Sequence, residues 1–341
     1  MLRTRHSLVF TVLFLLLIVS LYLACRIGAI EFDNAVFWRL LSGQALPADE
    51  ATWQILKQIR LPRVFAAAIV GGVLAITGAV MQGLFRNPLV DPGIVGVMSG
   101  ASFAATLSIV VGSALLPNFF DATNDFALPI AAFFGGWLMT MVLYYFARRG
   151  GVLNIASMLL IGIALGALAG ALTGLLTYIA DDSQLRSITF WGMGSLAVFD
   201  WQKLAILTVV SVFAVPILWR DAHILNALML GENVAGHLGF DIERAKKRQI
   251  VLVALLVGVC VAFSGGIGFV GLVVPHIVRG LLGSNHRLVL PASFLFGAVL
   301  LNFSDLVART VVSPAELPIG ILTAMIGAPF LGFLVWRGSK R

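Results

Sequence analysis

Ten apolar blocks, most of them about 18 residues or longer and nearly free of charge, leave this chain few ways to fold. They run over roughly 7–25, 62–84, 93–113, 127–147, 153–179, 202–219, 248–266, 268–283, 289–307 and 318–336. A block of that length and polarity suits the hydrocarbon core of a bilayer as an α-helix, because a helix satisfies its own backbone hydrogen bonds there. A transmembrane β-barrel would show short alternating segments, and that pattern is missing. The eighth block is short and contains Pro275. The expectation is an all-α, polytopic membrane protein with about ten transmembrane helices, a single domain over 1–341 with the lipid bilayer around it.

Composition agrees. Of the 341 residues, 60% are hydrophobic and 11% charged, against about 25% charged in soluble domains. The net charge of +7 would suit nucleic acid in a soluble protein. In a membrane chain, basic residues collect in cytoplasmic links instead, so no nucleic-acid partner is expected. An even number of spans puts both termini on one side. With the termini in the cytoplasm, 15 of the 23 lysines and arginines fall inside. Eight fall outside: Arg26, Arg39, Lys57, Arg60, Arg63, Arg186, Lys203 and Arg309. The bias supports that orientation, and the outer arginines need an explanation of their own.

The first block follows Arg3 and Arg5 like a signal peptide, but Leu8–Ala24 exceeds the usual signal core. Leu23-Ala24-Cys25 resembles a lipoprotein site except that Tyr22 stands where an aliphatic residue is wanted. The expectation is an uncleaved first span. Cys25 and Cys260 are too few and too far apart for a disulfide framework or a metal cluster.

Two segments do not span. Residues 183–199 lie outside after the fifth span and read as a short surface helix. Residues 221–247 lie inside. There Ile224, Leu225, Leu228 and Met229 share a helical face, Gly231 breaks the helix, and a second short amphipathic piece runs towards Leu238. In the fifth span Gly162, Gly166, Gly170 and Gly174 recur every four residues, a flat stripe that lets another backbone approach closely. It serves packing inside one subunit, a dimer seam or a translocation path.

Catalytic signatures are missing. The chain has no G-x-x-x-x-G-K-[ST] phosphate loop and no H-E-x-x-H, and Ser264 lacks the glycine pattern of a nucleophile elbow. His6, His223, His237, His276 and His286 all fall on the cytoplasmic side, and Tyr178 lies near the outer end of the fifth span. Ionisable residues within spans are functional candidates by default; Asp305 and Arg309, spaced i, i+4, can pair. A secondary transporter needs ion relays, and their scarcity argues for an external energy source. Arg60 and Arg63 bracket Leu61-Pro62, and with Arg309 they present three guanidinium groups on the outer face. That suits carboxylates of a partner, or else lipid headgroups or pairing with Asp305 or Glu316 in the same chain. Arg86 to Pro92 (RNPLVDP) forms a tight, proline-bounded turn at the inner end of the second span, where Asn87 can hold freed backbone groups.

Several motifs share one pattern. Arg60-Leu61-Pro62-Arg63 is followed by GAVMQGLFRNPLVDPGIVGVMSGA (78–101), FWGMGSL (190–196), LMLGENVAGHLGF (228–240), GGIGFVGLVVPHIVR (265–279), DLVAR (305–309) and AELPIGILTAMIGAPFLGFL (315–334). In that order, over nearly the whole chain, they resemble the permease family of iron-siderophore, haem and cobalamin ABC importers, with its type II fold.

The resemblance implies a multi-pass protein of the bacterial inner membrane. It implies a homodimer with the pathway on its two-fold axis, lined by Gly162, Gly166, Gly170, Gly174 and the short helix near 184–196. Two ATPase subunits would dock at helices near 222–240, with Leu228, Gly231, Glu232 and Gly239 in the coupling role. A periplasmic binding protein would present glutamates to Arg60, Arg63 and Arg309, which accounts for the outer excess. Gate positions fall at Asn87 and Leu89 and, at the start of the fifth span, at Ile155 and Ala156, where apolar residues replace the family's small polar ones. The chain itself would bind no cofactor or metal and catalyse nothing; ATP and magnesium belong to the ATPase. Residues 162–196 look closest to haem permeases, and a glycine-faced, hydroxyl-poor path suits a flat macrocycle. Ferric siderophore and cobalamin are the rival cargoes, and an ion-coupled secondary transporter is the rival class.

Overall fold

The computed structural model describes residues 2–28, 34–44, 46, 49–112, 115, 117–150 and 152–338. In chain order its helices are α1 (Leu2–Arg26), α2 (Asn34–Leu41), α3 (Glu50–Gln54), α4 (Leu61–Leu84), α5 (Val97–Leu107), α6 (Pro117–Thr123), α7 (Ala127–Ala147) and α8 (Ile155–Ile179). They continue with α9 (Asp182–Met193), α10 (Trp201–Arg220), α11 (Ala222–Leu228), α12 (Glu232–His237), α13 (Ile242–Ser264), α14 (Val270–Leu282), α15 (His286–Ala308) and α16 (Ile319–Gly338). Among the described residues, seven helices are long and apolar enough to span a membrane. Three shorter apolar ones, Val97–Gly112, Val270–Leu282 and Ile319–Leu334, bring the set to the ten expected. The termini residues Lys340 and Arg341 used in the charge count lie outside the described residues.

Five helices open on an Asx cap whose side-chain oxygen takes a backbone N–H that the helix itself leaves unpaired. Asn154 accepts from Ser157 at 2.9 Å, Asp181 from Gln184 at 2.9 Å and Asp200 from Lys203 at 2.8 Å. Asp241 accepts from Arg244 at 3.1 Å and Asn285 from Arg287 at 3.0 Å. At α9 Gln184 also returns a bond to Asp181 N at 3.0 Å, closing a capping box.

The second span does not begin at Pro62. Helix runs from Glu50 to Leu84 through a wide π turn, Ile55–Arg60. Pro62 has no N–H to give, so inside this continuous helix a carbonyl of the preceding turn is left without its usual donor, directly after the π turn. Arg148–Arg149 and Val152–Leu153 add a two-residue antiparallel ribbon.

α4 is the centre of the bundle and packs on α15, α14, α13 and α10, while α5, α7 and α8 form a neighbouring layer joined to it through α13. In the apolar windows, 83% of residues are buried in the α4 span but 17% in α8. The tightest approaches are glycine on glycine. A Cβ added at Gly71 would overlap the Gly297 carbonyl, and one at Gly78 the Gly271 carbonyl. These contacts tie α4 to α15 and α14; the regular stripe of α8 is not where the backbones meet.

Candidate functional site

At the end holding the C-terminus of α1, the three arginines read as outward-facing are turned inward, with 5%, 6% and 5% of Arg60, Arg63 and Arg309 exposed. The same-chain pairing with Asp305 and Glu316 that their residue types allow is realised at Arg63. Arg63 Nε donates to both Asp305 carboxylate oxygens at 3.0 and 3.1 Å, and Nη2 donates to Oδ1 at 2.8 Å. Its remaining edge, Nη1, donates to Glu316 Oε1 at 2.7 Å. Arg60 Nη1 donates to the carbonyls of Cys25 (2.9 Å) and Arg26 (2.6 Å), and Arg309 Nη2 to that of Ala24 (2.6 Å). Two of the three therefore cap the negative end of α1, where the last carbonyls lack helical partners. Arg309 also pairs with Asp305 across 3.7 Å.

The two carboxylates on Arg63 differ. The Asp305 side chain is 1% exposed and the Glu316 side chain 43%. Glu316 stands at the edge of a pocket of about 330 Å³ lined also by Arg63, Asp305, Ser195 and Pro318. Three of the sequence motifs converge beside it. Ser195 N donates to Ser264 O at 2.8 Å, Gly266 N to Trp191 O at 3.3 Å, and Ile319 N to Gly194 O at 3.2 Å. The glycines there allow backbone to touch backbone: a Cβ on Gly265 would overlap the Trp191 carbonyl.

The proposed path face runs along α8. Gly162 is buried, a Cβ on Gly166 would stand 3.4 Å from Ser99 Oγ, and Gly170 and Gly174 meet nothing within 4 Å. Leu160, Ile163, Leu168 and Leu175 are exposed beside them, and Tyr178 is 87% exposed at the α9 end. Among the described residues no group of histidine, cysteine and carboxylate side chains could hold a metal ion.

At the other end, α4 stops at Leu84 and the chain turns at Arg86, whose φ of +49° is left-handed. Asn87 N donates to Gln82 O at 3.1 Å, and Asn87 Oδ1 accepts from Leu89 N at 3.0 Å. Asn87 and Leu89 are exposed, Ile155 is half-buried and Ala156 exposed. The Pro92–Val95 turn packs on α8, which brings the two segments expected to form a gate to the same end of the bundle. Asp91 accepts from Gly93 N at 2.8 Å to start that turn, and burial pushes its carboxyl above the usual range.

The segment expected to meet the ATPase folds as two short helices around Gly231, whose φ of +111° only glycine adopts easily. Gly239 ends the second at φ +88°. Glu232 pairs with the buried Lys246 at 2.7 Å, which also holds Glu243 at 3.1 Å. Asp221 binds Arg248 through two bonds, 2.8 and 2.6 Å. The helical face shared by Ile224, Leu225, Leu228 and Met229 is divided here. Leu228 is buried with Ile224 and Leu225 against α4 and α15, so it is not on the free face. Met229, Leu230, Val234 and Leu238 are the exposed apolar side chains instead. On a seven-residue helix flanked by protein on one side, the periodic stripe marks the packed face, and the free face lies beyond its end.

Known proteins share this architecture. Residues 16–337 match the FecCD transport family. The chain is 40% identical over 339 residues to the hemin transport system permease of Yersinia pestis, covering 99% of this chain and 98% of that one. It is 43% identical over 304 residues to the vitamin B12 import permease of Vibrio cholerae (87% and 89% covered). It is 40% identical over 326 residues to the molybdate import permease of Haemophilus influenzae (95% and 94%). A metal-chelate type ABC transporter solved in an inward-facing conformation superposes with a TM-score of 0.84 at 37% identity, covering 97% of this chain and 99% of that one. The chain belongs to the FecCD transport family: it is a membrane permease subunit of an ABC importer, and ATP hydrolysis lies with a separate ATPase.

Proposed function

We propose that two copies of this chain form the conduit of a haem importer in the bacterial inner membrane, both termini cytoplasmic, fed by a periplasmic binding protein and driven by two ATPase subunits. The observation that carries the cargo is the α8 face, apolar and open at Gly170 and Gly174 with Tyr178 at its end. A flat, largely apolar macrocycle loses little by leaving water for such a wall, whereas molybdate would find few donors on it. The full-length likeness to a hemin permease supports the same cargo. Cobalamin and ferric siderophore are the rivals. The binding protein docks at the Arg63 end, where Glu316, Arg63 and Asp305 are the charged groups lining the pocket. Arg60 and Arg309 support that surface by holding α1. The ATPase meets Met229, Leu230, Val234 and Leu238, an exposed apolar set that a partner would bury.

The test is uptake into proteoliposomes holding the permease, its ATPase and its binding protein. Haem is expected to accumulate with ATP and to stop when Leu230 and Met229 are both replaced by Asp. Accumulation of cobalamin, a ferric siderophore or molybdate in place of haem overturns the cargo. Uptake by the permease without its ATPase overturns the class.

A further inference from the structure

Lys246 begins the second turn of α13, at the end of the bundle that holds α11 and α12, and 1% of its side chain is exposed. A lysine so placed stays charged only with carboxylates beside it. It has two: Nζ donates to Glu232 Oε2 at 2.7 Å and to Glu243 Oε1 at 3.1 Å. Glu232 is the first residue of α12, and Glu243 lies one turn back on α13. The second oxygen of Glu243 accepts the backbone N–H of Leu153 at 2.9 Å. Leu153 directly precedes Asn154, whose side chain caps α8. Three hydrogen bonds therefore run from the head of α12 to the residue ahead of the α8 cap.

The two ends of this chain are otherwise lightly held. α12 buries one side chain, Ala235, and α8 has few buried residues. α11 differs. It buries Ile224, Leu225 and Leu228, and Arg248 grips Asp221 at its head through a planar two-bond fork. That fork fixes α11 on α13. An ammonium has three donors and no plane, so Lys246 can keep both carboxylates while α12 tilts. Water cannot reach it to replace either bond, and a buried charge that loses a partner is costly.

We propose that Lys246 is a positioning residue for transport, the swivel through which a displacement of α12 by the ATPase reaches the start of α8. The proposal rests on the reading of α11 and α12 as the ATPase contact. Buried ion pairs add little stability beyond apolar side chains of like volume, and a role in holding position accounts for one here. Asn154 N also donates to Ala147 O at 3.1 Å, so the ends of α7 and α8 move with the same ribbon.

The test uses the permease–ATPase complex in nanodiscs with a spin label on Val152→Cys, an exposed site next to Leu153; Cys25 and Cys260 are buried. Spectra are compared with ADP and with ATP trapped by vanadate. In the otherwise unchanged chain, trapping is expected to alter the mobility of the label. In Lys246→Met an apolar stem still fills the site, and the two carboxylates, 34% and 33% exposed, turn to solvent. The ATPase is expected to stay bound and the label response to be lost. Glu232→Ala, which leaves the buried ammonium its second carboxylate, is expected to lose the response too and decides the matter if Lys246→Met does not fold. An unchanged response in either folded variant, or a label indifferent to trapping in the otherwise unchanged chain, overturns the proposal. The underlying reading is checked separately, by ATPase binding to the chain with Met229 and Leu230 both replaced by Asp. Binding that persists there overturns the contact and the swivel together. Binding lost there, with an unchanged response in Lys246→Met, overturns the swivel alone.

Discussion

Asp305 and Glu316 hold the same guanidinium, and replacing each separates its structural role from its docking role. Asp305 contributes three of the four hydrogen bonds on Arg63, from a side chain 1% exposed. Asp305→Asn leaves a buried cation with only the solvent-screened Glu316 as counter-charge, a change that costs up to about 3–5 kcal/mol. Glu316 contributes one bond from a side chain 43% exposed. Solvent screens it, and Glu316→Gln is expected to cost about 0.2–1 kcal/mol. Thermal unfolding of the detergent-purified chain, followed by tryptophan fluorescence, should therefore show a loss several times larger for Asp305→Asn. Binding gives the second readout. Glu316 occupies the Arg63 edge that faces the pocket, so a carboxylate of the binding protein has to displace it. Removing that competitor is worth up to the same 0.2–1 kcal/mol, a rise in affinity of about 1.4- to 5-fold, measured with surface-immobilised binding protein. If Glu316→Gln destabilises as much as Asp305→Asn, or weakens the binding protein, then Glu316 is not an exchangeable partner and the docking argument fails at this residue.

Glycine positions separate packing from function. Gly71→Ala drives a Cβ into the Gly297 carbonyl and is expected to cost about 1–3 kcal/mol or more. Gly170→Ala meets nothing and should leave the melting temperature of the single chain level or slightly raised; if it also leaves haem uptake intact, the α8 face is not in use. The α9 cap depends on pH. The backbone N–H of Gln184, with the Ser183 hydroxyl, holds the Asp181 carboxyl below its usual range, so its contribution is present above the unfolded value of about 3.9 and is lost as pH falls through the lower folded value. Hydrogen exchange at α9 should quicken below that point in the wild type but not in Asp181→Asn. The same pH response in both would exclude the cap as its source.

The number and order of spans were legible because each apolar block must satisfy its backbone internally, a constraint local to the block. What escaped depended on a second segment. Arg63 and Asp305 lie 242 positions apart, and although pairing with Asp305 or Glu316 is one of the readings the residue types allow, nothing in either neighbourhood selects it over a partner's carboxylate. The regular spacing of Gly162 to Gly174 drew attention to α8, while the backbones meet at Gly71, Gly78, Gly271 and Gly297, whose spacing has no period because each glycine answers a crossing helix. The π turn at Ile55–Arg60 leaves no compositional mark. It resets the phase of the helix so that Arg60 and Arg63 face the end of α1 and Asp305.

This division bears on how the permease moves. Close glycine contacts cannot slide without backbone collision, so α4, α14 and α15 act as one body, with the Arg63–Asp305 pair inside it. α8 has few buried residues and no tight glycine contact along its outer half, so it has little to break when it tilts. The gate segments sit on both sides of that boundary, Asn87 and Leu89 on the turn leaving α4, Ile155 and Ala156 at the start of α8. Asn226 ties α11 to His286 at the head of α15, and a Cβ on Gly83 would lie 2.6 Å from His286 Nε2. Asn226, His286 and Gly83 thus form one packed chain from α11 to the last turn of α4, a route by which the proposed ATPase contact would reach the proposed gate.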